Sequence, residues 1–564
     1  MSPRGADVIC SVLRQLGVPG VFGLPGTQNV RLYEALRAAG LRRIVTADEG
    51  SAAFAATGFA RASGTVGVLT TIPGPGFVHA LAGIVEAHHD SAPVLWITQR
   101  PADQGRAFQL QRIDQAAMAA PVVKRCLHVR RVEDLADVMV AAYAHAQSGE
   151  PGPVLLEIDA PLLDAPAEEP RVALPATEPR FDLQALGAAL AACRFPLIIA
   201  GQGAQGASPM VRALAARWNA PVLFTSSGRG TLSDEDPLAF VQDFSTGLGP
   251  VLPDLLQQSD LILALGCKFT HNGSAGGRLT LPPAKLVRVD ASADVLAANY
   301  PARLAVEGRV EDVLAGLAGV LLPVSQWRPD DLAAARARLL ADRGEPIDFE
   351  PTLPDLPGGR VRDVFAAFGR QAGDRAMYVA DAGLHQALTR RYASVRRPRG
   401  LLCPSDFQSM GFGLPGAIGA AIAQPGAEVI ACIGDAGLVL SMGDLVTAVR
   451  EGVNLVVVVF NDGQMNLIRR QQLATYGHES GVDVAVPHLA ALAEAVGCSY
   501  FPVHGDLETV IRDVLAARGV RLVELRLADQ PSLEWQRVRA VVRAGVRNRV
   551  PDGAVAAVKR LLGR

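Results

Sequence analysis

VIACIGDAG at residues 429–437, followed by LVVVVFNDGQ at residues 455–464, decides the fold of the third part of this chain. Each segment is a run of apolar, largely β-branched residues that ends in small and polar ones, which is typical of a buried strand followed by a turn. The helical pattern between the two runs makes them a βαβ unit with parallel strands. Because the carboxyl ends of neighbouring parallel strands meet at one edge of a sheet, we expect both turns to face one crevice.

The residues at these strand ends suit a diphosphate and a hard cation. Small residues let backbone N–H groups approach a phosphate, and the following helix directs its positive end at the same anion. The small residues here are Gly434, Ala436 and Gly437. Asp435 and Asp462 offer carboxylate oxygens to Mg²⁺, and the backbone carbonyl of Gln464 would complete an octahedral site with phosphate oxygens and water.

An ordinary pair of strand-end turns is the alternative interpretation. Gly, Asp and Asn are common turn residues, and either segment alone is better explained in that way. The combination is more specific, because Asp435 and Asp462 lie one helix–strand crossover apart. The combination therefore favours a metal–diphosphate anchor.

The same alternation of β-branched runs and helical patterns continues over the whole chain of 564 residues. It predicts an α/β protein with three doubly wound, mainly parallel-sheet domains. Two proline-rich stretches, residues 164–179 and 350–357, separate them. The expected units are a first domain over residues 1–165, a middle Rossmann-like domain over 180–325, a third domain over 355–530, and a C-terminal basic tail or lid over 531–564.

Composition excludes several classes of protein. The net charge of −2 gives no basic field for nucleic acid, and the seven cysteines are scattered singly, without the spacing of a zinc site or a disulfide framework. A reduced, cytoplasmic location is expected. Residues 407–427 carry no charge, but Pro415, Pro425 and several glycines interrupt them. This stretch predicts a loop and a buried helix rather than a membrane span.

The two strand-end motifs resemble the magnesium–diphosphate anchor of thiamine-diphosphate-dependent enzymes. The resemblance is closest to the acetolactate synthase group of 2-oxoacid decarboxylases and carboligases, and it extends from Val21 to about Glu524. It makes the first domain pyrimidine-binding and the third diphosphate-binding. The chain departs from the family at Ala436, where glycine is usual, and at Asp462, where asparagine is usual.

Glu49, in TADEGSAAFAATGFAR at residues 46–61, matches the glutamate that hydrogen-bonds the cofactor's pyrimidine in this family. On its own it would be explained as a helix-start carboxylate. The resemblance implies a catalytic role for Glu49, whose carboxylate promotes deprotonation of the thiazolium. It also implies a homodimer or homotetramer with the active site at a subunit interface, because the partner chain binds the diphosphate.

Further site residues follow from the same resemblance. Gln111 matches a glutamine that faces the reacting centre and is the second catalytic candidate. Met410 matches the large apolar residue that wedges the cofactor into its bent shape, although a core methionine is the alternative. The remaining cofactor-binding candidates are Gly26, Gly74, Pro75, Gly76, His385, Gln386, Ser409 and Met465.

The middle domain contains GQGAQG at residues 201–206, which reads as a dinucleotide-binding turn. No acidic residue follows about 20 positions later, so the fingerprint is incomplete. Related middle domains sometimes bind FAD, yet Lys268 replaces an arginine that contacts the flavin nucleotide, and Arg229 stands where lysine is usual. The sequence therefore leaves two alternatives, a middle domain with bound FAD and one without it, and it favours the second.

The resemblance implies decarboxylation of a pyruvate-like 2-oxo acid and transfer of the acyl carbanion to a second carbonyl. The substrates would be small 2-oxo acids or aldehydes. Leu110 and Gln471 replace a phenylalanine and a tryptophan of the acetolactate synthase pocket, so donor and acceptor stay unspecified. Two alternatives are a flavin-dependent 2-oxoacid oxidase and a non-catalytic cofactor-binding regulatory subunit, the second disfavoured by Glu49.

Overall fold

The computed structural model describes residues 3–174, 181–245, 247–345, 347 and 350–528. These residues form three six-stranded sheets in which all paired strands are parallel. The sheets confirm the predicted fold class of three doubly wound α/β domains. The predicted basic tail or lid at 531–564 lies outside the described residues.

The first sheet has the strand order β2-β1-β3-β4-β6-β5. Its strands are β1 (Gly20–Gly23), β2 (Arg42–Ile44), β3 (Gly67–Thr71), β4 (Val94–Arg100), β5 (Arg125–Val129) and β6 (Val154–Asp159). Its helices are α1 (Gly5–Gln15), α2 (Val30–Ala38), α3 (Glu49–Ser63), α4 (Pro75–His89), α5 (Gln115–Ala119) and α6 (Leu135–Gln147).

The middle sheet has the order β12-β11-β10-β7-β8-β9. Its strands are β7 (Pro196–Ala200), β8 (Val222–Phe224), β9 (Ala239–Phe240), β10 (Leu261–Leu265), β11 (Leu286–Asp290) and β12 (Leu304–Glu307). Its helices are α7 (Leu183–Ala191), α8 (Ser208–Trp218), α9 (Leu252–Gln258), α10 (Ala293–Ala297) and α11 (Val310–Gly316), and α12 (Pro329–Gly344) packs Leu332 and Leu339 into the same core.

The third sheet has the order β14-β13-β15-β16-β18-β17, which repeats the topology of the first sheet. Its strands are β13 (Ala376–Ala380), β14 (Leu401–Leu402), β15 (Glu428–Gly434), β16 (Leu455–Asn461), β17 (Ser499–Pro502) and β18 (Val520–Arg526). Its helices are α13 (Val361–Ala372), α14 (Leu384–Tyr392), α15 (Gly413–Ala423), α16 (Asp435–Ser441), α17 (Gly443–Arg450), α18 (Asn466–Tyr476), α19 (Leu489–Val496) and α20 (Leu507–Ala516).

The strands β15 and β16 lie at the centre of the third sheet, covered by helices on both faces. All seven residues of β15 and the first six of β16 are buried. Burial on both faces explains why their sequences are continuously apolar instead of alternating. The order of the sheet reverses between β13 and β15, and such a switch point opens a crevice beyond the carboxyl ends of the strands.

Helices α3 and α15 join the first domain to the third. A Cβ atom on Gly58 would collide with the backbone of Gly416, and one on Gly419 would collide with that of Ala55. Small residues therefore allow the two helix backbones to approach closely. The uncharged stretch 407–427 forms a loop followed by the buried helix α15, as predicted, and no helix in the described part of the chain has the length and apolar character needed to cross a membrane.

Candidate active site

Three neighbouring strands of the third sheet end in aspartates. Asp381 follows β13, Asp435 follows β15 and Asp462 follows β16. One carboxylate oxygen of Asp435 accepts hydrogen bonds from the amides of Gly463 at 2.6 Å and Asp462 at 3.2 Å. The structure thus brings the two predicted strand-end turns into direct contact.

A cavity of about 320 Å³ opens at this edge of the sheet. It contains most of the residues expected to bind diphosphate and metal. Those that line it are His385, Met410, Gly434, Asp435, Ala436, Gly437, Asp462, Gln464 and Met465. Their convergence creates a single concave site from segments that are up to 80 residues apart in the sequence.

The lining on the diphosphate side requires small residues. A Cβ atom on Gly434 would lie 3.0 Å from the His385 ring, and one on Gly437 would collide with the carboxylate of Asp381. His385 is 7% exposed, and its Nε2 atom has no hydrogen-bond partner among the described residues. Burial lowers the pKa of His385 to about 4, so the ring is neutral near pH 7. A buried ring nitrogen without a hydrogen-bond partner, beside a cradle formed by the glycines at 434 and 437, suits a polar ligand group.

The side of the cavity that Asp435 and Asp462 line offers oxygen atoms. Burial raises the pKa of Asp435, and hydrogen bonds from the backbone amides of Ala436, Gly463 and neighbours oppose that rise. Asp462 accepts hydrogen bonds from the Gln464 amide at 3.1 Å and from the Asn466 side chain at 2.9 Å. In the part of the chain that the structure describes, no cluster of three or more His, Cys, Asp or Glu side chains is arranged to hold a metal. Two carboxylates and a carbonyl suit Mg²⁺ shared with phosphate oxygens and water.

Glu49 is the first residue of α3, and Asp48 caps that helix by accepting a hydrogen bond from the Ser51 amide. The Glu49 side chain is 12% exposed, and its carboxylate lies 3.4 Å from Nδ1 of His79. It also packs against Gly76, where a Cβ atom would lie 2.5 Å from a Glu49 oxygen. Residue 76, which follows Pro75 at the start of α4, therefore has to be a glycine or a similarly small residue beside this carboxylate.

Gln111 lies against the same turn. Gly74 has a φ of +70°, and a Cβ atom there would lie 3.0 Å from the Gln111 Cα atom. Gln111 itself has a φ of 56°, a left-handed conformation that is rare for this residue type. Its side-chain oxygen is buried without a partner among the described residues. Gly26 lies near the same turn, because it packs on the Ile72 side chain, which also contacts Gly76.

Within one chain these first-domain residues and the third-domain cavity are separate. Glu49, Gln111 and their glycines do not line the cavity. Two other predicted residues do not line the cavity either: the Gln386 side chain donates to the Pro404 carbonyl at 2.8 Å, and the backbone amide of Ser409 donates to Glu86 at 2.9 Å.

Asp381 supports the cavity without lining it, through contacts with Gly437 and Gly411, and the sequence interpretation missed it. It is fully buried, and it accepts hydrogen bonds from the amides of Ala382 at 2.7 Å and Gly411 at 3.0 Å. Burial raises its pKa to about 7, against the effect of these amides. The strand-end rule that selected Asp435 and Asp462 would have selected Asp381 as well, since it directly follows β13.

A cavity at the switch point of a parallel sheet, with glycines beside a buried histidine and two strand-end aspartates, defines a cofactor-dependent enzyme that binds a diphosphate group. Three family models match this chain: the N-terminal TPP binding domain of thiamine pyrophosphate enzymes over residues 3–118, their central domain over 183–317 and their C-terminal TPP binding domain over 381–525. The chain belongs to the thiamine pyrophosphate enzyme family.

Similar proteins extend this assignment over nearly the full length. The chain is 31% identical over 491 residues to an acetolactate synthase isozyme 1 large subunit of Escherichia coli, which covers 85% of each chain. It is 32% identical over 540 residues to a probable 2-ketoarginine decarboxylase of Pseudomonas aeruginosa, covering 93% of this chain and 94% of the relative. It is also 30% identical to an acetolactate synthase large subunit of Lactococcus lactis, covering 88% and 87%.

These findings confirm the predicted family and the predicted kind of activity. The protein is a thiamine-diphosphate-dependent enzyme of the decarboxylase and carboligase type. None of the three relatives above is named as an oxidase or as a regulatory subunit. The cofactor, thiamine diphosphate, is the group for which the described cavity is suited.

Proposed function

We propose that this enzyme decarboxylates a small, pyruvate-like 2-oxo acid with thiamine diphosphate and Mg²⁺ and joins the acyl unit to a second carbonyl compound. The observation that carries the proposal is the contact between Asp435 and the residue 462–463 turn inside the cavity that His385 lines. When bound, thiamine diphosphate supplies the electron sink that decarboxylation needs.

The chain's own residues would hold and activate that cofactor. Asp435, Asp462 and the carbonyl of Gln464 would bind Mg²⁺ through oxygen, and the glycine cradle with His385 would receive the diphosphate. Glu49 would hold a proton at the pyrimidine ring, while Gln111 orients the reacting substrate. The largely buried position of Glu49 beside Gly76 supports this role, since it limits the access of water to the carboxylate.

The test is a panel of 2-oxo acids incubated with the enzyme, thiamine diphosphate and Mg²⁺, followed by mass spectrometry of the products. Carboligation products from at least one acid are expected. Release of free aldehyde alone would contradict the carboligase assignment, and no consumption of any acid would contradict the whole proposal. Leu110 and Gln471, which differ from the acetolactate synthase pattern, make larger or more polar acids an essential part of the panel.

We propose a homodimer, or a dimer of dimers, because Glu49 lies outside the cavity of its own chain. Exposed apolar side chains on α16, on α17, between these two helices and on α18 support this assembly: Leu440, Met442, Val446, Leu467 and Ile468, of which the last two also line the cavity. Leu440 is 64% exposed and Val446 is 52% exposed. Large exposed apolar patches on a protein surface mark interaction sites.

Val446→Glu is expected to convert the oligomer to monomers and to abolish turnover, because a buried unpaired carboxylate disfavours the interface. Analytical ultracentrifugation and steady-state kinetics on the same preparation measure both effects. Leu321→Glu is the matched control, since Leu321 is 89% exposed and follows α11 of the middle domain. A Val446→Glu protein that stays oligomeric and active would show that the interface lies elsewhere.

The middle domain suits FAD poorly. A cavity of about 230 Å³ lies beside residues 201–206. Lys268, which lines it, directs its ammonium group to Glu150 at 2.5 Å. Arg229 does not line it, and its guanidinium binds Asp234 at 2.5 Å instead. Lys268 and Arg229, the two positions at which the chain departs from flavin-binding relatives, are therefore both engaged with protein carboxylates.

The purified enzyme is accordingly expected to be colourless and to carboligate without added FAD. Absorption spectroscopy of the native protein, and of the supernatant after heat denaturation, measures bound flavin directly. A yellow protein that releases stoichiometric flavin would overturn this expectation and would favour the oxidase alternative.

We also propose a reducing, cytoplasmic environment and small-molecule partners. All seven cysteines are free thiols, which supports a reducing compartment. The net charge of −2 gives no basic field for nucleic acid, and the named activities of the relatives support small 2-oxo acids or aldehydes as ligands.

A further inference from the structure

We propose that Glu86 is a positioning residue for the cofactor site: it fixes the wedge segment, residues 409–415, across the boundary between the first and third domains. The inference rests on the proposed function, because the wedge segment contains Met410, which lines the cavity assigned to thiamine diphosphate. Glu86 does not line that cavity and would act through the backbone of Ser409.

Glu86 lies in the fourth turn of α4, the helix whose first residues pack against Glu49. Its side chain is fully buried. One carboxylate oxygen accepts a hydrogen bond from the Ser409 amide at 2.9 Å. The other oxygen is buried and has no hydrogen-bond partner among the described residues. A half-satisfied buried carboxylate is costly, so its presence calls for a reason other than stability.

The charged groups that face Glu86 do not neutralise it. Arg61, from α3, forms its ion pair with Asp90, which lies one turn after Glu86 at the end of α4. Asp90 also accepts a hydrogen bond from the Ser405 amide at 3.1 Å. The wedge segment offers Glu86 only the amide and hydroxyl of Ser409. Burial and the charge of Asp90 raise the pKa of Glu86 to about 8, against the smaller effects of Ser409 and Arg61.

The wedge segment is held from two sides. Glu86 holds the Ser409 amide from the first domain, and Asp381 holds the Gly411 amide from the third. Met410 lies between these two fixed peptides, half exposed toward the cavity. Loss of the Glu86 contact would free one end of the segment, so Met410 would no longer be fixed against a bound cofactor.

This arrangement predicts opposite effects on stability and on cofactor affinity. A glutamate whose pKa is raised in the folded state stabilises the fold fully only below its unfolded pKa, and this contribution is lost as the pH rises toward about 8. Glu86→Gln, which is neutral at every pH, is therefore expected to melt at a higher temperature than wild type at pH 8. The difference should narrow as the pH falls to 5.5.

The affinity for thiamine diphosphate should fall in the same Glu86→Gln variant. An ionised carboxylate accepts the Ser409 amide more strongly than a neutral group does. By isothermal titration calorimetry of thiamine diphosphate in saturating Mg²⁺, Glu86→Gln should bind about tenfold more weakly than wild type at pH 9, the usual size of one charge-assisted hydrogen bond. Near pH 7, where Glu86 is mostly neutral, the two proteins should differ by less than about threefold.

Asp290→Asn is the matched control. Asp290 is also a buried carboxylate that accepts a backbone hydrogen bond, from Ser292 at 3.1 Å, and burial raises its pKa to about 6. It lies in the middle domain, so Asp290→Asn should also gain stability at pH 8 but keep the pH dependence of cofactor binding seen in wild type.

The results separate three outcomes. A Glu86→Gln protein that binds the cofactor like wild type at both pH values overturns the positioning role while leaving the proposed function intact. A Glu86→Gln protein that is less stable than wild type at pH 8 makes Glu86 a structural residue and also overturns the inference. A wild-type protein that binds no thiamine diphosphate overturns the proposed function and the inference with it.

Discussion

Glu49→Gln is expected to lower turnover of any accepted 2-oxo acid by a factor of about 10²–10⁴, the usual contribution of a positioned acid–base group. Glutamine fills the same space beside Gly76 and can still form hydrogen bonds, but it cannot hold and release a proton. The binding of thiamine diphosphate should change much less, because the proposed diphosphate and metal contacts lie in the third domain. Steady-state kinetics and calorimetric titration on one preparation would measure the two effects separately.

Asp48→Asn is the matched control for this variant. Asp48 precedes Glu49 and caps α3 by accepting a hydrogen bond from the Ser51 amide at 2.9 Å. Asparagine is an equally good helix cap, so turnover should stay near that of wild type. Full turnover by Glu49→Gln would contradict the assigned mechanism, whereas equal losses in both variants would point to damage at the start of α3.

Asp435→Asn is expected to weaken Mg²⁺-dependent binding of thiamine diphosphate by about 100-fold or more, since even outer-shell changes at metal sites cost 10–100-fold. The variant loses a charged oxygen ligand but keeps one acceptor for the amides of Asp462 and Gly463. Calorimetric titration with and without Mg²⁺ would measure the effect, and thermal unfolding of the apo protein would show that the turn still folds.

Asp462→Asn provides the comparison at the same site. Asparagine offers a neutral amide oxygen that can bind Mg²⁺ and accept the hydrogen bond from the Gln464 amide. The affinity for thiamine diphosphate should therefore stay within about threefold of wild type, the size of a weak neutral interaction. Unchanged binding in Asp435→Asn would remove Asp435 from the metal site. A large loss in Asp462→Asn alone would make Asp462 the essential ligand.

The strands of the third sheet were predictable because their signal is local. Residues 429–433 and 455–460 are apolar on both faces, and only a central parallel strand needs that pattern. The strand-end position of Asp435 followed from the same pattern. The hydrogen-bond partners of the Gln386 side chain and the Ser409 amide did not follow, because no sequence period relates these residues to the Pro404 carbonyl and to Glu86.

The sequence by itself determined the parallel α/β fold, the strand-end aspartates and the family motif around Glu49. Hydrophobic period and turn chemistry act over a few residues, so they can be read along the chain. The position of Glu49 outside its own chain's cavity accords with the subunit-interface site that the resemblance implies, whereas only the tertiary structure decided that Asp381 and Glu86 hold the wedge segment from two domains. The burial and partners of a polar side chain depend on residues distant in sequence, and these become neighbours only when the domains pack together.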